Sequence, residues 1–292
     1  MRRYLQLPSF LTTLTILLGL TPFGVAALTF EELVTQTHLH GFAVDQTSPD
    51  RLYLATHDGL FVIEADGSVE QISKISDDFM GFAPHPTDPS ILYASGHPAS
   101  GGNLGVITSA DGGQNWTQLA KGVNGPVDFH QMDVSKADPN VLYGVGAHGA
   151  SLQVSRDGGQ TWEMIGPAPE GLFDLAASAE SAERLYAATQ NGLLLSEDGG
   201  KSWQDGYWLR RPTSMVHVTP AGDAYAFVFG TGLIRTTEPA LTWRTVSKDW
   251  GDVYLMYLAV DPNDRDRLYV VTSDKRILRS EDGGKRWASL GG

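Results

Sequence analysis

Eight histidines and no cysteine stand in this 292-residue chain, and six of the histidines fall at related places. They are counted from a tyrosine that returns once per unit: Tyr53, Tyr93, Tyr143, Tyr186, Tyr225 and Tyr269. Thirteen residues before these tyrosines come His40, Met80, His130, Phe173, Pro212 and Met256, and a shorter turn in the fifth unit would make Met215 the equivalent there. His57, His97 and His148 follow the first three tyrosines by four or five residues. His38 lies two residues before His40, on the same side of a strand. Imidazoles alone suit zinc or nickel, whereas imidazoles joined by thioethers, without thiolate, suit copper. The expectation is that His40, Met80, His130 and Met256 surround one entrance and hold a transition metal, copper before zinc. His38, His57, His97 and His148 would form an outer set. The bland alternative is that all are turn and packing residues. His85 and His217 fall elsewhere.

A second chemistry needs two carboxylates, one as acid and one as base or nucleophile. Asp78, Asp128, Asp174 and Asp252 are the candidates, Asp78 and Asp128 occupying the position that His38 holds in the first unit. The alternative is a rim of solvated acids.

The elements that position these residues are announced by a repeat, Ser-x-Asp-Gly-Gly-x-x-Trp. Full copies run over Ser109, Asp111 and Trp116; Ser155, Asp157 and Trp162; Ser196, Asp198 and Trp203; and Ser280, Asp282 and Trp287. A decayed copy spans Thr236 to Trp243 and a remnant surrounds Asp66, so the acidic positions follow one another at 45, 46, 41, 40 and 44 residues. That is the period of a four-stranded propeller blade. Asp-Gly steps suit tight turns between antiparallel strands, the carboxylate accepts backbone N–H groups, and the indole fills the space between blades. The expected fold is all-β, a six-bladed β-propeller, as one domain over residues 28–292.

The pattern resembles the Asp-box, or BNR, repeat of sialidases, of sortilin (VPS10)-like propellers and of photosystem II assembly factors. The resemblance implies an exported, glycosyl-hydrolase-like bacterial member, and it places the ligand face opposite the Asp boxes. Sialidase chemistry needs an arginine clamp on a carboxylate. The early Arg-Ile-Pro segment of that family is missing; Arg51, Arg265 and Arg267 sit in turns, Arg156, Arg279 and Arg286 flank Asp boxes, and only Arg210 and Arg211 fall on the ligand face. The sialidase catalytic motifs are therefore absent. The assembly-factor resemblance, carried by Leu185 to Thr189 and Ser196 to Gly200, implies an arginine-rich patch that this chain lacks. The favoured function is a non-catalytic binding or assembly propeller for a protein, peptide or glycan; a glycoside hydrolase and an assembly factor are the alternatives.

A formal charge of −13 disfavours nucleic acid as a partner. Met1-Arg2-Arg3, the apolar run Phe10 to Leu20 and the small residues before Leu28 read as a signal peptide over residues 1–27, cleaved after Ala26 or Ala27. A periplasmic or secreted monomer without a membrane span is expected. Leu28 to Thr37 is expected to add a strand that closes the ring against the last blade, with a short helix over Phe30 to Val34 as the alternative.

Overall fold

Each intact Ser-x-Asp-Gly-Gly-x-x-Trp segment folds into the same turn. In the second unit Asp111 Oδ1 accepts hydrogen bonds from Ser109 Oγ and from the backbone N–H groups of Gln114 and Asn115, at 2.8–3.1 Å. Ser109 Oγ in turn accepts from Gly113 N at 2.9 Å. Gly113 has φ +96°, and a Cβ there would lie 2.5 Å from Leu60 of the preceding blade. Both conformation and packing therefore require glycine. The Trp116 indole donates to Gly113 O at 2.8 Å and packs on Phe79, ring centroids 4.8 Å apart. Ser155, Asp157, Gly159, Thr161 and Trp162 repeat the serine, glycine, backbone N–H and indole bonds, with Phe129 as the aromatic neighbour. Bonds from Asn115 and Ser202 hold the carboxyls of Asp111 and Asp198 down to about 2. Their contribution to stability is complete above pH ~4 and is lost as pH falls toward 2.

These turns link the outer strands in four of the six antiparallel sheets of a computed structural model that describes residues 28–147 and 151–290. After β1 (Leu28–Thr29) and α1 (Phe30–Gln36), blade 1 comprises β2 (Leu39–Val44), β3 (Leu52–Thr56), β4 (Gly59–Ile63) and β5 (Ser68–Gln71). Blade 2 is β6 (Asp78–Pro84), β7 (Leu92–His97), β8 (Val106–Ser109) and β9 (Thr117–Ala120). Blade 3 is β10 (Phe129–Val134), β11 (Leu142–Gly146), β12 (Leu152–Ser155) and β13 (Glu163–Gly166). Blade 4 is β14 (Leu172–Ala177), β15 (Leu185–Thr189), β16 (Gly192–Ser196) and β17 (Gln204–Asp205). Blade 5 is β18 (Thr213–Val218), β19 (Asp223–Val228), β20 (Gly232–Thr237) and β21 (Arg244–Ser247). Blade 6 is β22 (Leu255–Asp261), β23 (Asp264–Thr272), β24 (Ile277–Ser280) and β25 (Ala288–Ser289). Each blade is a meander of neighbouring strands, so the first strand of each lies innermost and the fourth outermost. The described residues form the six-bladed propeller that the repeat predicts. Residues 1–27, with the expected signal peptide, lie outside them.

The core lies between blades. Tyr53, Leu60 and Val62 of blade 1 pack with Phe79, Phe82 and Leu92 of blade 2, and the same mixing recurs around the ring. The repeat tyrosines are buried and reach the next blade: Tyr143 donates to Ala182 O at 2.8 Å and Tyr269 to Pro49 O at 3.2 Å. In blade 4 the acceptor is Glu238, the residue left in the decayed Asp box of blade 5. Its carboxylate, 1% exposed, accepts from Tyr186 Oη at 2.7 Å, Ser178 Oγ at 2.5 Å and Ala179 N at 2.8 Å. The turn motif is lost, but its acid now ties two blades together.

Ring closure departs from the expected strand exchange. β1 pairs with β5, the outermost strand of blade 1, and the rest of the segment is helix α1, started by a capping box between Thr29 and Glu32. Thr at the cap and Glu three residues later favour helix over a longer strand. Blades 6 and 1 meet through side chains alone: Phe42, Leu52 and Leu54 pack on Ala259, Tyr269 and Ile277, with Leu33 of α1 against the same cluster. Arg267 pairs with Asp50, and Lys275 Nζ donates to Val34 O.

Trp162→Ala should cost about 3–5 kcal/mol in denaturant unfolding. Glu238→Gln, which puts an amide N–H donor in place of one oxygen facing the Tyr186, Ser178, Ala179 and Arg184 donors, should cost about 1–3 kcal/mol. An unfolding midpoint for Glu238→Gln equal to that of the wild type would show that the blade 4–5 tie is not stabilising.

Candidate metal centre

The hairpins between second and third strands, and the crossings from one blade to the next, share one end of the ring, opposite the Asp boxes. Backbone register brings the end of the second strand in one blade beside the first strand of the next blade. His57, just beyond β3, therefore meets Asp78 at the start of β6, with Nδ1 3.2 Å from Oδ2. One blade on, His97 at the end of β7 meets Asp128 beside β10, Nε2 to Oδ2 at 3.1 Å. The two contacts are the same contact repeated.

A third ligand joins each pair from a different side. His40, on β2 of blade 1, points Nε2 at Asp78 Oδ1 from 3.8 Å, and its ring stands 4.3 Å from that of His57. His130, on β10 of blade 3, bonds Asp128 Oδ2 at 2.8 Å. Two groups result, His40–His57–Asp78 and His97–Asp128–His130, each with one ligand atom per residue and all three within 4.8 Å of one another. Met80, at the position equivalent to His40 and His130, is buried in the strand between them.

The groups differ in charge and spacing. In the first, burial and the neighbouring imidazoles push His40 down to about 4, so it is neutral at physiological pH. Its Nε2 and Asp78 Oδ1 are both buried without a hydrogen-bond partner. Burial pushes Asp78 up. A nitrogen and an oxygen without hydrogen-bond partners thus face one another across 3.8 Å, close to the ~3.3–3.6 Å that separates ligands around an ion with ~2.0–2.2 Å bonds. In the second group, the bond to Asp128 raises His130, while His97 and His130 both lie at hydrogen-bonding distance from Asp128 Oδ2. Asp128 Oδ1 is buried and unpartnered. The first group is the more widely spaced; in the second, two imidazoles converge on one carboxylate oxygen.

The remaining sequence candidates are scattered. His38 is exposed, its ring 5.5 Å from that of His57. Met256 is half-buried on β22, and His148 lies outside the described residues. Asp252 sits in an exposed turn. Asp174 is deep in the central channel, accepting from Leu175 N and Val216 N. Asp174 and Asp252 thus stand apart from the mouth, whereas Asp78 and Asp128, on adjacent blades, are near enough for the charge of Asp128 to help raise Asp78, and each is engaged by two imidazoles. Arg210 is paired with Asp205. What counting positions within one blade missed was the pairing between blades, which makes Asp78 and Asp128 partners of histidines from both candidate sets. His217 was passed over too, and it faces the channel.

Fold and turn chemistry together define an Asp-box β-propeller. The BNR/Asp-box repeat profile matches residues 153–164. A "Probable oligoxyloglucan-reducing end-specific xyloglucanase" of Neosartorya fischeri is 29% identical over 134 residues, 41% of this chain and 16% of that protein. Among solved structures, the GH74 xyloglucanase of Xanthomonas campestris superposes with a TM-score of 0.61 at 20% identity, over 87% of this chain and 45% of that one. YCF48 from Cyanidioschyzon merolae superposes with a TM-score of 0.55 at 15% identity, over 87% of this chain and 84% of its own. The chain thus spans less than half the length of the xyloglucanases it matches, and the structural likenesses are of fold.

An NMR pH titration of the histidine rings should place His40 below the ordinary 6.5 and His130 above it. Asp128→Asn should lower the His130 midpoint. The sign for stability follows: the His130–Asp128 bond adds stability that is complete below pH ~6.5 and lost as pH rises through the folded midpoint. His130 titrating below 6.5 in the wild type would contradict the assignment.

Proposed function

We propose that this protein is an exported binding propeller that holds a divalent transition metal at the channel mouth and engages its ligand through that face, without catalysing glycoside hydrolysis. The observation that carries this is the facing pair of buried, unpartnered atoms, His40 Nε2 and Asp78 Oδ1, completed by His57. Three protein ligands leave a fourth tetrahedral position, and the half-exposed His57 side chain keeps that position open to an outside donor. Imidazole and carboxylate favour zinc among available ions; copper would need the thioether of Met80 as well. The second group takes an ion less readily, because His130 must first release its proton.

Export is supported by the basic, apolar and small-residue succession before Leu28. No helix among the described residues is long and apolar enough to cross a membrane. Similarity to a xyloglucanase favours a glycan as the outside ligand. Against hydrolysis stands the engagement of Asp78 and Asp128 by two imidazoles each, which occupies the carboxylates that would have to serve as acid and as nucleophile or base. An assembly-factor role of the arginine-patch type is opposed by Arg156, Arg184, Arg265 and Arg267, all paired with carboxylates.

Titration of chelator-treated protein with Zn(II) and Cu(I), followed by calorimetry and metal analysis, tests the proposal. Zn(II) should bind saturably, filling one site at about pH 6 and a second as pH rises past the His130 midpoint. Asp78→Asn should weaken the first site by at least about 100-fold, beyond the ~10–100-fold effect of losing an outer partner, while Asp128→Asn removes only the second. Preference for Cu(I) that falls with Met80→Leu would reassign the ion. Absence of saturable binding by either ion overturns the proposal.

A further inference from the structure

The channel below the mouth holds chemistry that the metal groups do not use. It is a cavity of about 230 Å³ running from His40 at the mouth to the turns at Pro84, Pro220 and Pro262, walled by the innermost strands of all six blades. Phe42, Phe82, Leu175, Met215 and Tyr257 give it an apolar, partly aromatic lining. Within that lining stands the Asp174 carboxylate, Oδ1 accepting from Leu175 N at 2.9 Å and Oδ2 from Val216 N at 3.0 Å. Among the described residues no lysine, arginine or histidine pairs with it. Lys136 is bonded to Asp133, and its charge reaches Asp174 and His217 only from that pair. Across the wall, the His217 ring makes no hydrogen bond to the described residues, and Gln131 adds an amide with none either.

We propose that the channel binds a small organic cation, a primary ammonium on an apolar or aromatic body, with Asp174 as its counter-ion and His217 and Gln131 as further hydrogen-bonding partners. A carboxylate held by two N–H groups in an apolar cavity is costly unless a positive charge meets it. Burial, with the charge of Asp133 adding to it, pushes Asp174 up to about 7, so below that pH and without a cation it is neutralised by a proton. The same burial presses His217 down to about 3, leaving a neutral ring that can accept from an ammonium. The other charged and titratable groups along the wall are His40, Asp133, Lys136, Asp223, Tyr257, Asp261 and Arg265. Asp133 with Lys136, and Asp223 with Arg265, are already matched. The chain's charge of −13 draws cations toward either opening. The cavity is smaller than the ~300 Å³ lower bound of drug-sized pockets, which limits the body to about one ring.

Phenethylamine, phenethyl alcohol and phenylacetate share a body and differ in charge. Each is titrated into chelator-treated wild type and Asp174→Asn by calorimetry, at about pH 6 in two buffers of different ionisation enthalpy. The amine should bind saturably and raise the melting temperature, releasing a proton from Asp174 that makes the apparent enthalpy depend on the buffer. The alcohol and the acid should bind at least about tenfold more weakly, a 1.4 kcal/mol difference. Asp174→Asn should reduce the amine to the level of the alcohol and abolish proton release. Equal binding of amine and alcohol, an unchanged Asp174→Asn variant, or no amine binding by folded wild type would overturn the proposal. Should Asp174→Asn fail to fold, the amine–alcohol difference and the proton release in wild type decide alone. Because the protein is stripped of metal, failure at the mouth and failure in the channel are separate results.

Discussion

The innermost strand of each blade has one edge with no strand beside it, and that edge is the constraint on which the ring depends. Unpaired N–H and C=O groups away from bulk water must find partners. Here the partners are side chains crossing from the neighbouring blade. Asp133 accepts from Ala177 N, Asp174 from Val216 N, Ser214 donates to Leu255 O and Tyr257 to Leu39 O. Polar residues in the channel are therefore required by the backbone before any ligand is considered. Close approach of the strands also fixes small residues at the axis: a Cβ on Gly41 would lie 2.6 Å from that of Phe82.

The mouth inherits a chemical division from the same geometry. Blades 1 to 3 present imidazoles and carboxylates, and blades 4 to 6 present exposed aromatic rings, Phe173, Trp208, Phe229 and Tyr254. Imidazoles are thus gathered on one side of the opening and exposed rings on the other. Such a division lies beyond what the Asp-box repeat requires, because the repeat constrains the opposite end of each blade.

Much of the fold was legible because the Asp-box turn combines rare features, two positive-φ glycines and an interblade tryptophan, at a regular period. Blade count and the common face of His40, His57, Asp78, His97, Asp128 and His130 followed from counting. Their grouping did not, since it depends on which position of one blade stands beside which position of the next. Asp174 shows the sensitivity. It lies one residue beyond the His40-equivalent position, and an odd step on a strand turns a side chain to the other face, here from mouth to channel. Glu238 was hidden for another reason: the decay of its turn motif disguised the replacement of a local hydrogen-bonding role by a contact between blades.

Every blade is built from one uninterrupted stretch of chain, and no strand is shared between the first and the last. Each hydrogen-bonded ladder is therefore self-contained, and the boundaries between blades are crossed by side chains, connecting loops and isolated backbone bonds such as Lys136 N to Ser178 O. A gene for such a protein can gain or lose one unit by duplication or deletion without cutting a ladder. The cost falls on the seam, where Tyr269 and Arg267 must meet whichever blade carries the counterparts of Pro49 and Asp50. The β1–α1 segment, lodged against that seam, sets the first blade apart from the other five.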